Sequence, residues 1–152
     1  MLLSSLIAAM HHLAAFAIAA ALAVEFATFS RAITAERAKA IQLADMTYGI
    51  ASIFIIVVGI LRVVSFTKGV DFYIGNVFFW VKMLAFSAMG GLSIYPTIQF
   101  FSWSKRLKEG QLPEITVTQE KLIKRLILFE LACLSIVVVA APLMATGFAL
   151  CP

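Results

Sequence analysis

The sequence predicts an all-α integral membrane protein, a four-helix bundle built from 152 residues as one transmembrane domain. Three observations predict it. The chain is 62% hydrophobic and 13% charged, with a mean hydropathy of +1.02, whereas soluble domains run near one half apolar and about a quarter charged. Its apolar residues gather into four stretches, each long enough to supply the ~20 residues that cross a bilayer core of ~30 Å as a helix. The basic residues lie at the ends of those stretches, so the net charge of +4 and the pI near 9.3 read as membrane topology and not as a nucleic-acid footprint.

The first span covers about 2–29 and holds both histidines side by side in Met10-His11-His12-Leu13-Ala14-Ala15-Phe16. No Lys or Arg precedes it, and it is longer than a signal-peptide core, so it is read as a retained span. After Ser30-Arg31, Thr34 followed by Glu36 predicts an N-cap with an acid in the first helical turn, so the second helix starts well before its membrane part at about 45–66. That part carries Arg62 near its far end and leads into the polar turn Thr67-Lys68-Gly69-Val70-Asp71. The third span, about 77–101, opens on the aromatic belt Phe78-Phe79-Trp80 and contains Lys82. Gly90-Gly91 at its middle allows close helix approach, and Pro96 predicts a kink. A long polar connection follows, broken by Gly110 and Pro113, and Thr116 with Gln119 fits a capping box. The fourth span, about 122–150, holds Glu130 and a second proline, Pro142.

The cysteines, Cys133 and Cys151, are separated by about 18 residues of helix at ~1.5 Å each, which excludes an internal disulfide. Cys151 is left as a candidate link between two copies. No CxxC or Cys/His cluster suggests zinc or iron–sulfur chemistry.

Orientation follows from the Lys and Arg of each connection. Arg31, Arg37 and Lys39 flank the first, and Lys105, Arg106, Lys108, Lys121, Lys124 and Arg125 flank the third. The second has only Lys68, and neither terminus has any. The first and third connections are therefore expected in the cytoplasm, with both termini outside.

This orientation brings His11, His12, Arg62 and Lys82 to the outer half of the bundle, where Asp71 in the turn is the one nearby acid. Two readings account for such a group. Either the cations reach lipid phosphates and the imidazoles hydrogen-bond across helices, or the site holds an anionic cofactor. A haem suits the second, with iron on a bundle histidine and propionates on Arg62 and Lys82. Adjacent helical residues point about 100° apart, so one iron takes one of the pair. Ser4, His11, Ile18 and Glu25 recur on one stripe, which favours His11; His12 is left to a neighbouring helix or a dimer contact. Met83 and Met144 are weak candidates for a sixth ligand, packing being the commoner role, and a five-coordinate iron is equally open. Glu25 and Glu130 are expected to form a structural ion pair with Arg31 or Arg125, or else to share a proton, with Tyr48 and Tyr95 as further members.

His11-His12-Leu13-Ala14-Ala15 with Ala20-Ala21-Leu22 resembles the first span of the copper-resistance D-like superfamily, whose histidine falls on His11. Trp80-Val81-Lys82-Met83-Leu84 resembles, with a one-residue difference in spacing, the third-span Trp-x-x-Lys-Leu element of HemJ-type protoporphyrinogen oxidases. The whole chain, through Tyr48-Gly49, Leu61-Arg62-Val63, Phe79-Trp80-Val81-Lys82 and Leu92-Ser93-Ile94-Tyr95-Pro96, looks like an uncharacterised bacterial four-span family of that superfamily. The resemblance implies haem b in a four-helix bundle of the bacterial inner membrane, a homodimer, and redox chemistry on a porphyrin or quinone. HemJ-type proteins have a further histidine late in the third span where this chain has Ser93 and Tyr95, so that ligand and its substrate chemistry do not carry over. Two other classes remain as expectations. A copper or small-solute permease needs polar residues through the bilayer centre, and the turns around Ile56, Phe86 and Val137 read as closed, with few Met and His for copper. A structural or assembly protein needs only the packing surface of the Ala-rich first span.

Overall fold

A computed structural model describes residues 2–66 and 69–147. The expectations placed on Lys68, on Cys151 and on the end of the fourth span at 148–150 fall outside the described residues. Four long helices, α1 (Leu2–Thr28), α2 (Ala35–Leu61), α4 (Val77–Lys108) and α5 (Val117–Ala145), are each long and apolar enough to cross a membrane. Between α2 and α4 lie a π-helical turn (Arg62–Phe66) and a short helix, α3 (Val70–Ile74). No strand forms among the described residues.

The helices outrun the apolar stretches at their polar ends. Helix α2 begins at Ala35, where Thr34 accepts a hydrogen bond from the Arg37 backbone N–H at 3.3 Å, and its membrane part follows as expected. Helix α4 continues past 101 to Lys108, its last turn carrying Lys105, Arg106 and Lys108 against the negative end of the helix dipole. It stops where Gly110 takes φ 73° and the N–H groups of Gly110 and Gln111 close back on Leu107 and Arg106, a Schellman cap that a residue with a Cβ would strain. The capping box at Thr116 and Gln119 forms, moving the start of α5 forward to Val117. These segments lie beyond the hydrocarbon, where water and caps satisfy the backbone, so apolar content alone marks only the middle of each helix.

The turn before α4 holds more order than a polar loop implies. Asn76 is buried and its side chain accepts from the Phe78 backbone N–H at 2.9 Å, starting α4. Trp80 Nε1 donates to the Ile74 carbonyl at 3.0 Å and ties α3 to the new helix. Pro96 and Pro142 both sit inside unbroken helices.

Helix α1 lies along α2, and α4 along α5; the two hairpins face each other through α1 with α5 and α2 with α4. This up-and-down ring encloses Ile18, Leu22, Ile41, Met89, Phe100, Ile123 and Ile127. Near the end bearing the α1–α2 and α4–α5 connections, called here the connection end, Phe29, Phe100 and Trp103 cluster with ring centroids 5.1 to 6.3 Å apart. The exterior is apolar, with Leu13, Phe16, Ile50, Ile53, Leu84 and Val138 all exposed, while Glu25, Asp45 and Glu130 are buried. Such an inside-out distribution suits lipid and would aggregate in water. Gly90 and Gly91 face outward, and a Cβ at either would meet nothing within 4 Å, so they bring no pair of helices together within one chain.

Lipid tails are as apolar as leucine, so this bundle gains little from burying leucine as such; close packing and interhelical hydrogen bonds hold it. Ile127→Ala, which empties a fully buried position, is expected to cost about 2–4 kcal/mol. Leu128→Ala on the lipid side is expected to stay within about 0.5 kcal/mol. Reversible unfolding in mixed detergent–lipid micelles, followed by circular dichroism, measures both.

Candidate functional site

Two polar features interrupt the apolar interior, one at each end. At the end opposite the connections, an apolar cavity of about 250 Å³ opens between helices α1, α2, α4 and α5. Ile55, Ile56, Gly59, Phe79, Phe86 and Val137 supply walls, and His11, Lys82 and Met83 reach it. The turns expected to be closed, at Ile56, Phe86 and Val137, are thus cavity walls; their side chains are large and apolar, so the space between them offers no polar path.

His11 enters the cavity against bare backbone. A Cβ at Gly59 would stand 3.5 Å from His11 Cε1 and 3.9 Å from Nδ1, so the ring occupies the space beside the glycine. The Nδ1 atom is buried and has no hydrogen-bond partner among the described residues. Lys82, one helix away, holds its ammonium 5.8 Å from the centroid of Phe79, a cation–π contact, and its charge and that of Arg62 both act on His11.

The remaining expected ligands distribute unequally. Arg62 opens the π-helical turn and is half-buried near Lys82, without lining the cavity. His12 is exposed, its ring 6.3 Å from that of His11 in an edge-on arrangement, and does not reach the cavity. Its place follows from the 100° step between adjacent helical residues. Of the two methionines Met83 borders the cavity, whereas Met144, farther along α5, does not.

Nearer the connection end lies a feature that the spacing revealed only in part. Glu25 from α1, Asp45 and Tyr48 from α2, and Glu130 from α5 are all buried. Thr97 of α4 donates to Asp45 Oδ1 at 2.7 Å, and Tyr48 faces Glu130 and Ser93, whose own hydroxyl donates to the Gly90 carbonyl at 2.9 Å. One turn from Asp45, Gln42 donates to the Phe100 carbonyl at 2.6 Å and to Ser104 Oγ at 3.1 Å.

The ion pairs expected for Glu25 and Glu130 do not form among the described residues. Arg31 instead presents its backbone N–H to Glu120 at 3.3 Å, Lys124 bonds Glu120 at 2.8 Å, and Arg125 is exposed. These cations stay with the wet connections, while the two glutamates turn toward the bundle axis. Tyr95 packs against the apolar core and Tyr48 alone joins the carboxylates. The spacing assigned no role to Asp45, Thr97, Gln42 or Ser93. The signal was available: Asp45 and Tyr48 are three residues apart on one helical face.

Glu25 Oε1, like His11 Nδ1, is buried with no hydrogen-bond partner among the described residues, as is Ser52 Oγ. Ser52 lies between the two features, roughly 10 Å along α2 from Asp45 and from Gly59. Cys133 is a free thiol. Among the described residues no group of three or more His, Cys, Asp or Glu has a geometry for a metal ion. A groove of about 520 Å³ between Met10, Leu13, Ile50 and Phe54 is apolar, and its Thr47 hydroxyl is spent on the Leu43 carbonyl.

A family model described as "Predicted membrane protein (DUF2214)" matches residues 3–149. No curated protein and no solved structure matches the chain.

Thr97→Val removes the hydroxyl that serves Asp45 and is expected to destabilise the bundle by about 1–3 kcal/mol, with Thr97→Ser close to the parent. The same micelle unfolding measurement reads the difference.

Proposed function

The chain belongs to the DUF2214 family of predicted membrane proteins, and on that premise we propose that it is an inner-membrane haem b protein with a redox role, with His11 as the axial ligand. The observation that carries the reading is the buried, unpartnered Nδ1 of His11 beside an apolar cavity that Lys82 also borders. The resemblance of His11–Leu22 to copper-resistance D-like first spans and of Trp80–Leu84 to HemJ-type proteins supports it. So does the basic pair, Arg62 and Lys82, at the level of His11.

The donor chemistry fits the group: an imidazole nitrogen for iron, aliphatic and aromatic walls for a macrocycle, and cations for carboxylates. The enclosed volume is below the ~300–1,000 Å³ of pockets that surround drug-sized ligands, so a macrocycle also needs the open side, where Ile56, Ile60, Val64 and Met83 are exposed. A second copy against that side would complete the enclosure, which is the homodimer that the resemblance implies. When bound, haem supplies one-electron exchange. The protein's own part is to hold the iron through His11, to screen it from water with Ile55, Phe79 and Phe86, and to balance its carboxylates with Lys82 and Arg62. Both termini face the periplasm in this reading, in keeping with the basic connections.

The volume also favours a second reading, a quinone headgroup, whose ring is smaller and whose carbonyls accept hydrogen bonds from His11 and Lys82. Absorbance separates the two. The full-length protein, purified after expression with haem precursor, is expected to show a Soret band and a haemochrome on pyridine treatment, both lost in His11→Ala and retained in His12→Ala. A colourless preparation at full yield whose organic extract contains quinone replaces the haem reading with the second, and a colourless preparation without quinone ends both.

A further inference from the structure

The carboxylates near the connection end stand apart from the His11 cavity and need their own explanation. Three of the four long helices each supply one, Glu25, Asp45 and Glu130, and the fourth supplies Thr97 and Ser93. Glu25 is 3% exposed and Glu130 1%, so neither is solvated by lipid headgroups or bulk water. Glu25 feels the charges of both Asp45 and Glu130. The ion pairs of the described residues, Arg106 with Glu114 and Lys124 with Glu120, lie elsewhere, at the polar connection.

Three buried carboxyl groups with no cation paired to them cannot all stay ionised in a low-dielectric interior. The donors that face them, the Thr97 and Tyr48 hydroxyls, serve Asp45 and Glu130. Glu25 Oε1 is left without one among the described residues, wholly buried and within the field of Asp45 and Glu130. An oxygen so placed lacks a hydrogen and not a side chain. The cation small enough to satisfy one oxygen at a time is the proton.

We propose that Glu25, Asp45 and Glu130, with Tyr48 and Thr97, form a single intramembrane proton-binding site whose protons exchange with water. The groups facing it are Glu25 on α1, Asp45, Tyr48 and the uncharged Gln42 on α2, Ser93 and Thr97 on α4, and Glu130 on α5. A proton leaves a carboxyl oxygen as its O–H bond breaks and joins water, and a carboxylate takes a proton from water as a new O–H bond forms. Such a site handles protons whether or not the other end of the bundle binds haem or a quinone.

Infrared difference spectroscopy on the full chain in liposomes tests the proposal. At neutral pH the wild-type protein is expected to show the carbonyl stretch of protonated carboxyl groups, and the band is expected to shift in D2O. Because the acids act as one site, Glu25→Gln, Asp45→Asn and Glu130→Gln are each expected to shift or remove intensity that the other two also affect. Isolated structural acids would each delete their own component and leave the rest in place, which overturns the proposal. A wild-type spectrum without the band, or a band inert to D2O, also overturns it. Should one variant fail to insert, the wild-type spectra and the other two variants still decide.

Discussion

A bilayer core offers no water to a polar group, and the architecture of this protein answers that constraint. In water the leucines and phenylalanines would turn inward and the acids outward. Here Phe16, Ile50 and Leu84 face out, and Glu25, Asp45 and Glu130 face in. Once these acids are inside, the helices around them are no longer free to rotate, since each must keep its polar stripe toward the axis. The hydrogen bonds from Thr97 to Asp45 and from Gln42 to Phe100 and Ser104 join α2 to α4 across the gap between hairpins, where apolar packing is thinnest. Polar contacts thus set the register that hydrophobicity cannot, because lipid and core are equally oily.

The two ends of the bundle are finished differently. At the connection end the chain is stapled by caps and by the ring cluster of Phe29, Phe100 and Trp103. At the other end a π-helical turn and α3 lead into a helix start fixed by Asn76, with Trp80 anchored to the Ile74 carbonyl. π-helical turns are rare and recur near functional positions, and this one begins at Arg62, within electrostatic range of His11 and Lys82.

Much of this frame was legible in the residues. The helix count came from apolar length, the capping box from Thr116 and Gln119, and the inward stripe of α1 from the seven-residue recurrence of Ser4, His11, Ile18 and Glu25, all four buried or half-buried. What escaped was the part that depends on neighbouring helices. The outward face of Gly90 and Gly91 could not be read from their presence, because glycine permits a close approach without causing one. The ion pairs proposed for Glu25 and Glu130 failed because closeness along the chain does not place a side chain on the same side of a helix. The cavity behind Ile56, Phe86 and Val137 was invisible for a related reason, since composition reports what a residue is and not how well its neighbours fill the space beside it.

The contact between His11 and Gly59 bears on how rigidly the imidazole is held. A ring lodged against a side chain inherits that side chain's rotameric freedom, but one lodged against main chain moves only when the helix itself does. The height of His11 is therefore fixed by the rigid rod of α2, and a displacement of that rod at one membrane face would carry the imidazole with it.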